Sequence, residues 1–375
     1  MTERAFWLAW SHIPGVGAIL IQRLYQQFGS LATAWEVSLS ELQTVEGIGE
    51  LGAENILKER RKLDPQSLLE QHEAENPAFW IPTDAEYPRW LLEIPDPPPV
   101  LYYRGQVNLL ENQGMTPAVS IVGTRGPSDY GRRWARRLSV ALAQVGFTIV
   151  SGLAEGIDTE VHQSCLDVGG RTIAVLGTGV DVVYPYFNRN LSNQIAEQGL
   201  LISEFPAGTQ PDRTHFPRRN RIIAGLSRAT LVIEAPQKSG SLITARLANE
   251  YGREVYALPG TLDNQRAKGC LTLLSQGAQM ILGESQLLDM LGTLPQLDNS
   301  ASPHQLSLLA ASAPEPVDLE PALQQVLHAV ALEPSGFDSI VQNAGLATSS
   351  VLSALVQLEL MGLVSQLPGM RYQRG

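Results

Sequence analysis

From residue 118 onward the apolar positions fall into short continuous runs, AVSIVG, FTIVSG, RTIAVLG, LLISEF, ATLVIEA and EVYALPG. Between them lie RRWARRLSVALAQVG, DTEVHQSCLDVG, NLSNQIAEQG, RIIAGLS and SLITARLANEYG, in which apolar residues recur at helical spacing, and LTLLSQGAQMIL closes the series. Uninterrupted apolar strands alternating with amphipathic helices predict a parallel sheet covered on both faces. The expected fold is therefore α/β, a Rossmann-like doubly wound and mostly parallel sheet, with ligands held outside the carboxyl ends of the strands. Ahead of it, residues 76–116 are rich in proline and carry the strand-like run VLYYRG. Because proline is tolerated at sheet edges and not in central strands, this stretch reads as edge strands added to the sheet.

The ends of the chain carry different patterns. Residues 1–75 read as helical, with two echoes, Ile13-Pro-Gly-Val-Gly17 and Val45-Glu-Gly-Ile-Gly49, each resembling the hairpin of a helix-hairpin-helix (SAM-like) unit. Glu36, Glu41, Glu46, Glu50 and Glu54 surround these hairpins and would repel phosphates, so a protein-contact domain is favoured over DNA binding. Residues 292–320 form an acidic Pro/Ser/Ala-rich linker. In 321–375, LQQVLHAV, FDSIVQNAG and TSSVLSALVQLELMG read as helices and LVSQLPGMRYQR as a hairpin, the makings of a winged helix. Its expected recognition helix, Thr348 to Met361, has no lysine or arginine, which favours a regulatory or protein-contact role over base reading. The expected domains are thus 1–75, 76–291 and 321–375, joined by the 292–320 linker.

Charge sharpens this picture. The net charge is −11, yet residues 121–283 hold 17 basic against 13 acidic residues while residues 1–120 hold 8 against 16. The positive excess gathers at Arg125, Arg132, Arg133, Arg136 and Arg137 and again from Arg213 to Arg228, as a basic groove on an acidic body would. With no apolar run near the roughly 18 residues of a membrane span and no signal peptide in MTERAFWLAWSHIPG, a cytoplasmic protein without membrane contact is expected. Two cysteines, Cys165 and Cys270, exclude a disulfide framework and a cysteine zinc site and read as small buried hydrophobes.

Glycine turns occur where strands hand over to helices, at SIVGTRGP, SGLAEGID, GTGVD and SGSLITA. Outward backbone N–H groups at such turns bind anions, which makes phosphate the expected ligand. GTRGPSDYG departs from a dinucleotide fingerprint because Arg125 replaces the second glycine, where pyrophosphate needs close backbone approach. NAD is therefore disfavoured, and the guanidinium reads as a fork for phosphate. Arg213, Arg218, Arg219 and Arg221 interleave with Phe216 in RTHFPRRNR, the cation-plus-ring combination that single-stranded nucleic acid requires, although Phe216 reads equally as core. Asn220 between the arginines reads as an orderer of the local loop. Glu155, Asp158 and His162 allow a metal or acid/base reading, set second to Asp158 capping the helix that begins there. No GxSxG, HExxH, GxxxxGK[ST] or paired catalytic carboxylates appear, so no catalytic residue, metal or cofactor is expected.

In order, SIVGTR, SGLAEGID, TIAVLGTGVDVVYP, LISEFPAGTQP, HFPRRNRIIAGLS, LVIEA, SGSLITARLANEYGREVYALPG and QGA closely resemble the DNA-processing protein A family (DprA/Smf) across nearly all of the central domain. The resemblance implies a protein of natural transformation that binds incoming single-stranded DNA, forms homodimers and loads the RecA recombinase. It places the family's phosphate-binding pocket on Gly123, Thr124 and Arg125, on Ser151 and Gly152, and on Ser239, Gly240 and Ser241. Arg213 stands where the family usually has lysine, and Phe216 would be the stacking aromatic. Leu271 stands where the family often has Asn or His and is left out of the site. Read with the arginine cluster, Arg125, Arg213, Arg218 and Arg221 would clamp successive phosphates. The alternative is a nucleotide-processing enzyme of phosphoribohydrolase type, but APQKSGSLITA lacks the glutamate such enzymes carry in the matching turn.

Overall fold

A computed structural model describes residues 2–76, 78–292, 321–330, 335–360, 364–367 and 371–374. Among these, one nine-stranded sheet runs in the order β1-β2-β6-β5-β4-β3-β7-β8-β9. The strands are β1 (Phe79–Trp80), β2 (Leu101–Gly105), β3 (Ala118–Val122), β4 (Thr148–Ser151), β5 (Thr172–Val175), β6 (Leu200–Ser203), β7 (Ala229–Val232), β8 (Glu254–Ala257) and β9 (Gln279–Met280). All seven from β3 to β9 pair in parallel, while β1 and β2 add antiparallel at the edge beside β6, as the proline-rich lead-in predicts. The chain winds outward from β3 through β4, β5 and β6 on one side and from β7 through β8 and β9 on the other, so the order reverses between β3 and β7. That reversal is where a doubly wound sheet opens a ligand crevice.

Alternation along each strand fills two layers. In β3, Val119 and Ile121 pack with Leu138, Leu142 and Val161 of the helices Asp129–Gln144 and Ile157–Asp167, while Ala118 and Val122 face Ile222, Ile223 and Ala245 on the other face. Cys165 and Cys270 are free, buried in these layers, and burial pushes both thiols up to about 12, in keeping with their reading as hydrophobes.

The N-terminal helices, from Glu3–Ser11 to Pro65–Glu75, close around Trp7, Trp10 and Trp35. The same cluster continues into Phe79, Val100 and Tyr102, so these helices pack directly against the β1–β2 edge. Gly15 (φ 85°) and Gly47 (φ 94°) turn the two hairpins, and Ile13, Val16, Val45 and Ile48 are buried between the helices. Residues 1–297 and 298–375 form separate compact units. In the second, helices Pro321–Ala329, Phe337–Ala344 and Thr348–Leu360 accompany an antiparallel sheet ordered β10 (Ser335–Gly336), β12 (Arg371–Arg374), β11 (Val364–Leu367), a winged-helix arrangement. The linker expected at 292–320 lies outside the described residues beyond residue 292.

Two buried histidines make stability pH-dependent. Burial lowers His162 to about 3, with Arg219 adding to the effect, and burial lowers His72 to about 4, with His12 adding. Both are neutral when folded and gain protons on unfolding near pH 6.5. Their contribution is complete above the unfolded value and is lost as pH falls through it toward the folded values. Urea unfolding followed between about pH 6.5 and 5 should show stability falling with a slope that approaches roughly 1.4 kcal/mol per pH unit for each histidine; His162→Gln should remove about half of the histidines' combined slope.

Candidate nucleic-acid cleft

At the carboxyl ends of β3 and β7 lies an open cleft of about 620 Å³. One wall is the turn after β3, with Gly123, Thr124 and Arg125. This turn is fixed from across the crevice. Thr124 N–H donates to Glu234 O at 2.7 Å, and the buried Glu234 carboxylate accepts from Ser128 N–H (2.7 Å) and Ser128 Oγ (2.8 Å), which in turn caps the helix Asp129–Gln144. Gly123 is required by close approach, because a Cβ there would lie 2.5 Å from Ile157. The opposite wall is the Ser239-Gly240-Ser241 turn, where the helix Ser241–Glu250 begins. Asn220 lies within a helix, not in the local loop that the sequence suggests it orders, and ties this distant turn to that helix by donating from Nδ2 to Gly240 O at 3.2 Å.

The floor holds a buried charge. Arg219 donates through Nη1 to Gly152 O (2.7 Å) and to Val175 O, clamping the carboxyl ends of β4 and β5 together. Burial pushes it down to about 10, so it stays protonated at neutral pH. Gly152 must be glycine, since a Cβ would stand 2.5 Å from the Arg219 guanidinium. Asp158 also lines the cleft and is raised by burial, against the pull of Arg219. It does not cap the helix Ile157–Asp167 as expected. Instead its carboxylate reaches back and accepts from Gly152 N–H (3.1 Å) and Ala154 N–H (3.3 Å), pinning the loop before the helix. His162 is fully buried and meets Thr172 Oγ1 at 2.7 Å; with Glu155 and Asp158 it makes no metal-holding group among the described residues.

Arg125 and Arg213 line the same cleft, both exposed, with Phe216 between solvent and core beside them. The Arg125 guanidinium sits 5.5 Å from the Phe216 ring centroid, and the Tyr184 ring lies 5.6 Å from it on a tilt. Arg125, Phe216 and Tyr184 also border a smaller recess that reaches Gly152 and Gly177. Three helices begin at this cleft, through Asp158, Phe216 and Ser241, and their N-terminal ends favour an anion.

Other expected residues are placed elsewhere. HFPRRNR is the start of the helix His215–Gly225, and helical phase divides its side chains. Phe216 and Asn220, four apart, face the cleft, whereas Arg218 and Arg221, three apart, share another face. There Glu204 binds both, at 2.9 Å each, and Asp96 binds Arg221 at 2.8 Å. Arg221 is buried within that ion-pair network and is unavailable as a phosphate clamp; Arg218 is exposed but directed to Glu204. Ser151 is also interior, its hydroxyl donating to Ile121 O at 2.7 Å, so of the Ser151-Gly152 pair only Gly152 reaches the recess. Three of the four arginines of Asp129–Gln144 are engaged by acids, Arg132 and Arg136 with Glu160 and Arg137 with Glu284, while Arg133 lies 5.9 Å from the Tyr130 ring centroid. Sequence reasoning counts Arg219 among the cations of the cluster without giving it a place in the clamp, and leaves Tyr184 out of the site. The helical spacing in HFPRRNR carries the signal for Arg219; for Tyr184 only its place after the GTGVD turn does.

Comparison with known proteins identifies the fold and the family. Residues 78–292 match the family model described as DNA recombination-mediator protein A, and residues 310–370 match the DprA winged helix domain. Protein Smf of Synechocystis is 51% identical over 100% of this chain and 99% of its own length. The crystal structure of DNA processing protein A from Streptococcus pneumoniae is 34% identical with a TM-score of 0.67, covering 77% of this chain and 98% of that one. DNA processing protein A from Helicobacter pylori, a protein with a described single-stranded DNA binding mode, is 31% identical with a TM-score of 0.52, covering 57% and 96%.

Proposed function

The chain belongs to the DNA-processing protein A family, and from that premise we propose that it is a non-enzymatic cytoplasmic protein that binds single-stranded DNA in the cleft between β3 and β7. In this reading it protects strands taken up in natural transformation and, as a homodimer, hands them to the RecA recombinase. The carrying observation is that Arg125, Arg213 and Phe216 converge on one rim of the sheet, beside glycine turns and helix N-termini. The guanidiniums would hold successive phosphates, the turn amides would donate to phosphate oxygens, and the Phe216 ring would take an unpaired base. A duplex keeps its bases stacked and offers none to the ring. The recombination part of the proposal is supported by the description of the matching family model as a recombination mediator.

Fluorescence anisotropy with oligo-dT and with duplex of equal length, across a salt series, tests the proposal. Single strands are expected to bind more tightly, with affinity falling by about 0.7 log units per log unit of salt for each phosphate contacted. Phe216→Ala should weaken oligo-dT binding by roughly 1–3 kcal/mol while leaving that slope unchanged. Equal affinity for duplex, or no effect of Phe216→Ala, would refute a base-stacking cleft.

A further inference from the structure

The turn after β5 carries an unusual surface. Tyr186 and Phe187 are 72% and 62% exposed, in the 3₁₀ turn Tyr186–Asn188. Adjacent exposed rings form a contiguous apolar patch, the kind of surface that marks an interaction site. Tyr184, two residues earlier and so within about 7.6 Å along the chain, lines the cleft against Phe216. The mount is firm: beneath the turn, the buried Asn188 donates from Nδ2 to Leu153 O (3.0 Å) and Thr159 Oγ1 (2.9 Å). A cation accompanies the rings, for Arg189 lies 5.9 Å from the Tyr186 ring centroid and donates from Nη1 to Tyr186 Oη at 3.1 Å. Rings interleaved with a guanidinium are the same chemistry that Phe216 and Arg125 present inside the cleft.

We propose that Tyr186, Phe187 and Arg189 form a second subsite for single-stranded nucleic acid, continuous through Tyr184 with the cleft, where bases leaving the cleft stack on the exposed rings and Arg189 meets a phosphate. The inference rests on the cleft being the seat of the strand. Continuity with the cleft through Tyr184 favours this occupant over a second copy of the chain or another protein.

The experiment compares the full chain with Tyr186→Ala/Phe187→Ala, using oligo-dT of about 6 and about 16 nucleotides, lengths that bracket the site sizes of single-strand modules. The double variant should weaken the longer oligonucleotide by about 5- to 150-fold for each base that loses its ring and leave the shorter one unchanged. An otherwise identical longer oligonucleotide with abasic flanks should lose affinity for the unaltered chain and be indifferent to the variant. If the variant binds both lengths as the unaltered chain does while Phe216→Ala weakens both, the subsite is refuted and the cleft stands. If the variant changes the mass measured by light scattering with DNA affinity intact, the rings are a protein contact and the subsite is likewise refuted. If the unaltered chain binds neither length, the cleft reading itself fails and takes the subsite with it.

Discussion

Replacing Arg125 and Arg213 together by alanine is expected to abolish most single-strand binding. Each exposed guanidinium at the cleft can make charge-assisted hydrogen bonds to phosphate, worth about 1.5–3 kcal/mol apiece. Losing both corresponds to a loss of roughly 10²- to 10⁴-fold in affinity if the two act independently. The salt dependence should become shallower by about 1.4 in log–log slope, since two phosphates are no longer neutralised. Both side chains sit at the surface, so thermal stability should be unaffected. An oligo-dT titration in which the double variant keeps its affinity and slope would show that the strand lies elsewhere.

The second large effect concerns stability. Glu204 has a side chain only 2% exposed and answers two arginines, of which Arg221 is itself buried. Glu204→Ala strands that guanidinium with Asp96 alone, a loss expected to cost about 3–5 kcal/mol and to lower the melting temperature by on the order of 10 °C. The companion variant Glu204→Leu/Arg221→Met, which removes both charges, should recover much of the loss. At temperatures where Glu204→Ala remains folded, its affinity for oligo-dT should be near that of the unaltered chain. A variant that melts normally and binds oligo-dT more tightly would return Arg221 to the ligand.

These expectations mark where sequence reasoning succeeds and where it ends. The run of strands is readable because each is a short stretch dominated by Val, Ile, Leu and Ala, whereas the order reversal between β3 and β7 lies in pairings between distant segments that no strand's own residues record. Gly123, Thr124, Arg125 and the serine turn reach the cleft because turn chemistry is local; Phe216 and Asn220 reach it because they share one helical face. Arg218 and Arg221 do not, because adjacency in sequence says nothing of helical phase. Pro217 suggests a loop, whereas the first turn of a helix tolerates proline. The acids that claim Arg221 are also remote, Asp96 by 125 positions and Glu204 by 17. The role of Arg219 at the floor escaped for the complementary reason: its partners are backbone carbonyls, and a carbonyl leaves no trace in a residue pattern.

The buried Glu234 carboxylate, reaching from β7 to Ser128 across the crevice, has a kinetic implication. It holds the arginine-bearing loop in shape before any ligand arrives, so little conformational freedom remains to be surrendered on encounter. Capture should then be limited by diffusion and electrostatic attraction, with no slow loop-ordering step, and the on-rate should respond to ionic strength from the first milliseconds of mixing.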